Sequence, residues 1–98
     1  MELKDTIEMM NSEDYKERFK AEYYQLRIRY EKLGNMYLNW DSLKFVPTCP
    51  KETYRDQLCS MEMYLNVLED RAELENIKLD DETWSLKILL IVMIIGMD

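Results

Sequence analysis

Histidine is absent from this 98-residue chain, and glycine, proline and cysteine occur only twice each. Histidine is the commonest general base and the commonest metal ligand, and two cysteines cannot complete a four-ligand zinc site. The sequence also contains no glycine-rich phosphate-binding motif, no zinc-protease motif and no paired-cysteine motif. We therefore predict that the protein is not an enzyme and has no catalytic residues, no metal and no cofactor.

The charge balance and the cysteines restrict the partners and the compartment. Lys and Arg number 13 against 20 Asp and Glu, for a formal charge of -7, whereas binding to duplex nucleic acid depends on many cations that neutralise phosphates. We expect no such binding, although a small anionic ligand in a locally basic pocket is compatible with this charge. Cys49 and Cys59 are expected to be free thiols in the cytoplasm, because residues 1–10 carry charges where a signal peptide is apolar.

Two long segments with a helical hydrophobic period flank Pro47 and Pro50. Apolar residues recur in both at spacings of four and three, which is typical of one face of an amphipathic helix. In the first segment they are Phe19, Tyr23, Leu26, Tyr30, Leu33, Tyr37 and Trp40, and in the second Tyr54, Leu58, Met61, Leu65, Leu68 and Ala72. The pattern predicts an all-α fold, an antiparallel helical hairpin with its two long helices joined by a short rigid turn.

The predicted boundaries divide a single domain into five parts. They are a short N-terminal helix over 1–11, a long first helix over 12–42, a proline-containing turn over 43–49, a second helix over 50–78 and an apolar C-terminal tail over 79–98. Ser12 or Asn11 is expected to cap the first long helix, and Pro50 is expected to occupy the first position of the second.

The second long helix carries an additional apolar face, about opposite the first. Its residues are Met63, Val67, Leu74 and Ile77. A helix with two apolar faces needs two partners, so the N-terminal segment, the tail or another subunit must cover the second face unless these are isolated exposed residues. A chain of this length buries only roughly 60 to 70 % of its unfolded surface. We therefore predict a homo-oligomer with these four residues at its interface.

The tail ends in an uncharged run over residues 88–97. That run is too short to span a bilayer, which takes about 20 residues. Its composition suits either a buried strand or a third helix, because it is apolar all round. Packing in the core or an oligomer is the first expectation, a membrane-associated anchor the second and an exposed, aggregation-prone end the third.

The first long helix combines tyrosines with cations. Aromatic rings stack on nucleobases and Lys or Arg donates to phosphate oxygens, so this combination suits a nucleotide ligand. The candidate ligand-binding residues are Tyr15, Lys16, Phe19, Lys20, Tyr23, Tyr24 and Arg27, with Arg71 from the second helix. The alternative interpretation places the aromatic residues in the hairpin core and pairs the cations with nearby glutamates on a solvated face.

Several segments resemble a family of small proteins from gut phages and prophages related to crAss-like phages. They are Asp-Tyr-Lys-Glu-Arg-Phe-Lys-Ala-Glu-Tyr-Tyr-Gln-Leu-Arg-Ile-Arg at 14–29, Thr-Cys-Pro at 48–50, and Met-Tyr-Leu, Leu-Glu-Asp-Arg-Ala and Glu-Asn-Ile between 63 and 77. The layout of a long helix reading Tyr-Tyr-Gln-Leu-Arg, a proline-containing turn and a second helix is also similar to the helical hairpin domain of phage anti-CBASS and Thoeris anti-defence sponges.

That resemblance implies a non-enzymatic oligomer, typically a hexamer, acting in the cytoplasm of an infected bacterium. Such sponges sequester cyclic di- or trinucleotides or cyclic ADP-ribose signals in pockets between subunits. Their pattern of an aromatic near the start of the long helix and a cation further along implies Tyr15 with Lys20 or Arg27. The competing hypothesis is a small helical phage protein that binds a host protein, as an inhibitor or adaptor, through its acidic surface and second apolar face.

Overall fold

The computed structural model describes residues 1–79, and the predicted tail from residue 80 onward lies outside them. A 3-10 turn, Leu3–Thr6, leads directly into the short helix α1, Ile7–Met10. The two long helices are α2, Tyr15–Leu38, and α3, Lys51–Leu74, and a second 3-10 turn, Trp40–Ser42, follows α2. Residues 1–79 contain helices and loops but no strand, which confirms the all-α prediction.

The helix α2 begins at Tyr15, later than the predicted residue 12. Asp14 is its N-cap, and its side-chain oxygen accepts a hydrogen bond from the Lys16 amide at 2.9 Å. Ser12 stays outside the helix, where its hydroxyl accepts from the Asp14 amide at 3.0 Å. A carboxylate at the N-cap interacts well with the positive end of the helix dipole, which explains the choice of Asp14.

The turn between the long helices differs from the prediction at both ends. The helix α2 stops at Leu38, and the predicted last turn to residue 42 is instead the separate 3-10 turn. Pro50 is the N-cap of α3 with an extended backbone, φ -59° and ψ 151°, and does not occupy the first helical position. Lys51 is therefore the first residue of α3.

The two long helices pair antiparallel around one core. Tyr15 at the start of α2 contacts Glu75 just after α3, and Trp40 just after α2 meets Tyr54 in the first turn of α3. The buried cluster comprises Phe19, Tyr23, Tyr24, Tyr30, Leu58, Leu65, Leu68, Ala72 and Ile77. Apart from Trp40 and Tyr54, which meet each other at the loop end, both predicted apolar seams lie in or against this core, so the predicted hairpin pairing is confirmed.

The N-terminal segment packs across α2. Thr6 is fully buried there, and its hydroxyl donates to the Leu3 carbonyl at 2.7 Å. The Gln25 amide on α2 donates in turn to the Thr6 hydroxyl at 2.9 Å. These two bonds satisfy a buried polar side chain and fix the position of the segment on α2.

The predicted second apolar face of α3 is three residues rather than four. Within residues 1–79 the exposed fraction is 70 % for Met63, 54 % for Val67 and 83 % for Leu74. Ile77 is only 5 % exposed and lies in the core of the same chain, so it is not part of this exposed face. It turns inward because α3 ends before it. We call Met63, Val67 and Leu74 the outer apolar face.

The end of α3 explains this inward turn. Asn76 has a left-handed backbone, φ 55°, the Ile77 amide donates to the Ala72 carbonyl at 2.8 Å and the Asn76 amide donates to the Glu73 carbonyl at 3.3 Å. This pair of bonds is a Schellman motif, in which a left-handed residue reverses the chain and a hydrophobic residue after it packs back on the helix. The helix accordingly stops at Leu74 and not at the predicted residue 78.

Substitutions of Asn76 test this account. Asn76→Val should lower the free energy of unfolding by about 1–2 kcal/mol, since a β-branched residue is costly in the left-handed region. Asn76→Gly should retain the wild-type value, because glycine adopts that region freely. Urea denaturation measures both variants, and an equal loss in the two would contradict the assignment.

Two further expectations concern the surroundings of the protein. No helix within residues 1–79 is both long and apolar enough to cross a bilayer. Cys49 and Cys59 are both free thiols, as the sequence predicted, with Cys49 exposed and Cys59 half-buried.

Candidate functional site

Four of the eight predicted ligand-binding residues meet at the open end of the hairpin. Tyr15, Lys16 and Phe19 come from the first turns of α2, and Arg71 comes from the last turn of α3. The antiparallel pairing brings these two helix ends together. We call these four residues with Glu75 the Arg71 cluster.

Three side chains of the cluster form a closed ring of hydrogen bonds. The Arg71 guanidinium donates from Nη2 to the Tyr15 hydroxyl at 2.7 Å and from Nε to Glu75 Oε2 at 3.1 Å. The Tyr15 hydroxyl donates to Glu75 Oε1 at 2.9 Å. The ring holds the guanidinium in a fixed orientation, which is the preorganisation that a phosphate-binding arginine requires.

The ring of Phe19 packs against the guanidinium of Arg71. The Arg71 Cζ lies 4.9 Å from the centroid of the Phe19 ring, a cation–π distance, and Phe19 itself is buried. The Tyr15 ring is tilted 48° from that of Phe19, with 6.4 Å between centroids, and is 46 % exposed. Tyr15 therefore offers part of its ring to solvent while Phe19 is fixed in the core.

Glu75 is the resident anion of the cluster. Hydrogen bonds first from Tyr15 and then from Arg71 lower the pKa of its carboxyl. Hydrogen bonding to Glu75 is also the largest cause that raises the pKa of Arg71. The ammonium of Lys16, an exposed residue, lies 3.5 Å from the Asn76 carbonyl at the same end. A bound phosphate would compete with Glu75 for the donors of Arg71. The ammonium of Lys16 would be a second donor close by.

The lowered pKa of Glu75 predicts a specific pH dependence of stability. A carboxyl with a depressed pKa stabilises the fold above its unfolded value of about 4.3, and this contribution is lost as the pH falls through the folded pKa. The melting temperature of Glu75→Gln should therefore lie slightly below that of the wild type at neutral pH. In acid the two melting temperatures should be equal. Melting curves from neutral to acidic pH check this result. A difference in melting temperature that persists at low pH would contradict it.

Lys20 and Arg27 lie further along α2 and already have partners. The Lys20 ammonium forms an ion pair with Glu17 Oε1 at 3.3 Å. Arg27 interacts with the Tyr23 hydroxyl, which also donates to Glu69 Oε1 at 2.9 Å. The pairing of Lys20 follows the alternative interpretation, with cations matched to glutamates on α2 itself.

Tyr23 and Tyr24 belong to the core of the hairpin. Both are buried, and their rings meet edge to face with 5.5 Å between centroids and 70° between planes. Burial, followed by the contact with Glu69, raises the pKa of Tyr23 well above its usual range, against a lowering effect of Arg27. These rings pack the hairpin, so only Tyr15 among the predicted aromatics presents a substantial surface to a ligand.

Sequence reasoning missed the residues just beyond α3. Glu75 follows Arg71 by four, a spacing at which oppositely charged helical residues pair, so this contact was detectable from the sequence. A shallow depression of about 290 Å³ at the end of α3 is lined by Ala72, Glu73, Asn76, Ile77 and Lys78. The chain reversal at the end of α3 could have been predicted from Asn76 followed by the apolar residue Ile77. Residues 1–79 contain no group of His, Cys, Asp or Glu side chains arranged to hold a metal.

Comparison with known proteins finds one family. A family model described as Sequestin matches residues 13–74, which cover more than half of the chain and contain both long helices. The match includes Tyr15, Lys16, Phe19 and Arg71, whereas Glu75 lies just after it. No curated protein and no solved structure matches the chain.

Proposed function

Because the chain belongs to the Sequestin family, whose name denotes sequestration, we propose that it binds a small ligand and holds it without cleaving it. The proposed ligands are cyclic di- or trinucleotides, or signals of the cyclic ADP-ribose type. The setting is the cytoplasm of a phage-infected bacterium, where the protein acts as an anti-defence sponge against immune signals. The observation that carries the proposal is the Arg71 cluster.

The cluster contains the two chemical features that recognise a nucleotide. Arg71 and Lys16 supply charged donors for phosphate oxygens, and Tyr15 supplies an exposed ring that stacks on a base. Glu75 keeps Arg71 oriented until a phosphate replaces it as the acceptor. The guanidinium also remains packed against the Phe19 ring, so the Arg71 side chain loses little conformational entropy when the ligand binds.

Sequestration explains why the sequence is poor in catalytic residues. A sponge lowers the free concentration of its ligand in proportion to the number of its sites and needs no turnover. The chain has no histidine to serve as a general base. Binding alone makes use of the side chains that the hairpin provides.

Native mass spectrometry with a panel of ligands tests this proposal. The panel consists of cyclic dinucleotides, cyclic trinucleotides and cyclic ADP-ribose isomers. We expect one class to add its intact mass to the protein and to raise the melting temperature, since a ligand at about 100 times its Kd stabilises by roughly 2.7 kcal/mol per site. A protein that binds none of them, or that releases a cleaved product, would refute the proposal.

We also propose that chains associate through the outer apolar face. Met63, Val67 and Leu74 expose a row of large apolar side chains along one side of α3 in the described chain. Contact with the same face of a second subunit would remove this row from water, which favours association. A contact of this kind between identical faces closes as a two-fold dimer, which would place two Arg71 clusters in one assembly.

Met63→Asp is expected to break such an assembly. A charge at an apolar subunit contact is costly to bury, so the variant should be the monomer at concentrations where the wild type is an oligomer. Sedimentation velocity measures the difference. Gln57→Glu is the matched control, because it adds one negative charge at an exposed position of the same helix. An unchanged oligomer in Met63→Asp would contradict this interface.

The outer apolar face also favours a second candidate function, docking on a host protein as an inhibitor or adaptor. Its exposure and the acidic charge of the chain are the observations that support this alternative. It predicts that Met63→Asp abolishes capture of the partner while Arg71→Ala has no effect. The sponge proposal predicts loss of ligand binding from Arg71→Ala.

A further inference from the structure

A second group of aromatic rings and a cation lies at the opposite end of the hairpin. The Lys51 ammonium is 4.8 Å from the centroid of the Tyr37 ring and 5.9 Å from that of Trp40. Trp40 and Tyr54 are neighbours, with 5.9 Å between ring centroids and 56° between planes. We call Tyr37, Trp40, Lys51 and Tyr54 the loop cluster.

The ends of the two helices build this cluster. Tyr37 is in the last turn of α2 and Trp40 opens the 3-10 turn after it, while Lys51 begins α3 and Tyr54 follows one turn later. All four side chains are half-buried, so each is held by the protein on one side and reaches solvent on the other. Rings fixed in this way lose little freedom when a planar molecule stacks on them.

The electrostatics of the loop cluster favour an anion. Among residues 1–79 no carboxylate lies within ion-pair distance of the Lys51 ammonium, although Glu52 is its neighbour in sequence. This contrasts with Arg71, whose charge is matched by Glu75. The ammonium rests against ring faces, which accept no conventional hydrogen bond, so its donors are available to a charged acceptor.

We infer that the loop cluster is a second binding site, which takes a planar aromatic anion of the nucleoside monophosphate class. The base stacks on the ring of Trp40, with its edge toward the tilted ring of Tyr54, and Lys51 donates to the phosphate. The helix α2 has 24 residues, so it separates the loop cluster from the Arg71 cluster by roughly 35 Å, at about 1.5 Å per residue. The inference is therefore independent of the function proposed for the Arg71 cluster.

Fluorescence of Trp40 tests this site directly. The chain has two tryptophans, so Trp84→Phe leaves Trp40 as the single reporter. Adenosine 5′-monophosphate is the probe, with adenosine and inorganic phosphate as separate arms. We expect the nucleotide to change the emission saturably, adenosine to bind more weakly, and phosphate to leave the emission unchanged because it cannot stack.

Variants of Lys51 identify the charged contact. In the Trp84→Phe background, Lys51→Ala should weaken binding of adenosine 5′-monophosphate by about tenfold, the effect of losing a charge-assisted hydrogen bond. Lys51→Arg should keep most of the affinity, and Arg29→Ala at an exposed position of α2 should leave it unchanged. Circular dichroism shows whether each variant retains its helices.

Cys49 provides a second readout that does not depend on a Lys51 variant folding. Its thiol is exposed, and interaction with this thiol contributes, after burial, to a raised pKa of the Tyr54 hydroxyl. In a Cys59→Ser protein, bound adenosine 5′-monophosphate should slow the reaction of Cys49 with a thiol reagent. No saturable change in emission together with an unchanged thiol rate, up to millimolar nucleotide, would overturn the inference and leave Lys51 as a structural clamp of the turn.

Discussion

Arg71→Ala is expected to weaken ligand binding at the open end of the hairpin. The substitution removes the donors that would reach a phosphate, and it also removes the hydrogen bonds from Arg71 to Tyr15 and Glu75. Affinity for the cyclic nucleotide that the wild type binds should fall by about tenfold at least, since a hydrogen bond to a charged group is lost. Isothermal titration calorimetry measures the change.

Two further arginine substitutions make this result specific. Arg71→Lys keeps the charge but loses the planar fork and much of the contact with Phe19, so its affinity should lie between those of wild type and Arg71→Ala. Arg29→Ala removes the same charge from an exposed position in the middle of α2 and should bind like the wild type. Equal losses in Arg29→Ala and Arg71→Ala would mean that net charge, and not the cluster, controls binding.

Leu65→Ala is expected to have the largest effect on stability. Leu65 is fully buried between the helices, and truncation of such a leucine costs about 2–5 kcal/mol in lost burial and cavity formation. Because the free energy of unfolding of a domain is only about 5–15 kcal/mol in total, this loss should remove a large part of the stability of the protein. Urea denaturation monitored by circular dichroism gives the free energy of unfolding.

Leu74→Ala is the matched control on the same helix. It deletes the same atoms from a side chain that is 83 % exposed, so the monomer should lose well under 1 kcal/mol. In an oligomer assembled through the outer apolar face, the stability of the wild type would rise with protein concentration, and Leu74→Ala would reduce that rise. Equal losses in Leu65→Ala and Leu74→Ala at low concentration would contradict the core described above.

The spacing of apolar residues was sufficient to predict the hairpin but not the ends of its helices. Phe19, Tyr30, Leu58 and Leu65 recur at intervals that only a helix brings to one face, so their burial followed from the sequence. The helix ends depended on single capping contacts. Asp14 took the N-cap in place of the predicted Ser12 or Asn11 because its carboxylate reaches the Lys16 amide.

The candidate site was predictable in its chemistry and only partly in its membership. Tyr15, Lys16, Phe19 and Arg71 were identified from the combination of aromatic and cationic residues, and the structure brings them together. Tyr23 was placed in the same group but lies in the core. A tyrosine on the boundary of an apolar face suits either environment, and the packing of the partner helix decides between them.

The sequence by itself determined the helical class, the antiparallel pairing of two long helices and the poverty in catalytic residues, because hydrophobic period and composition are local properties of the chain. Only the tertiary structure decided which charges meet across the hairpin. Arg71 and Glu75 meet Tyr15 over a sequence distance of more than 50 residues. It also decided that Ile77 turns inward, since that depends on the left-handed backbone of Asn76 and on a core to receive the side chain.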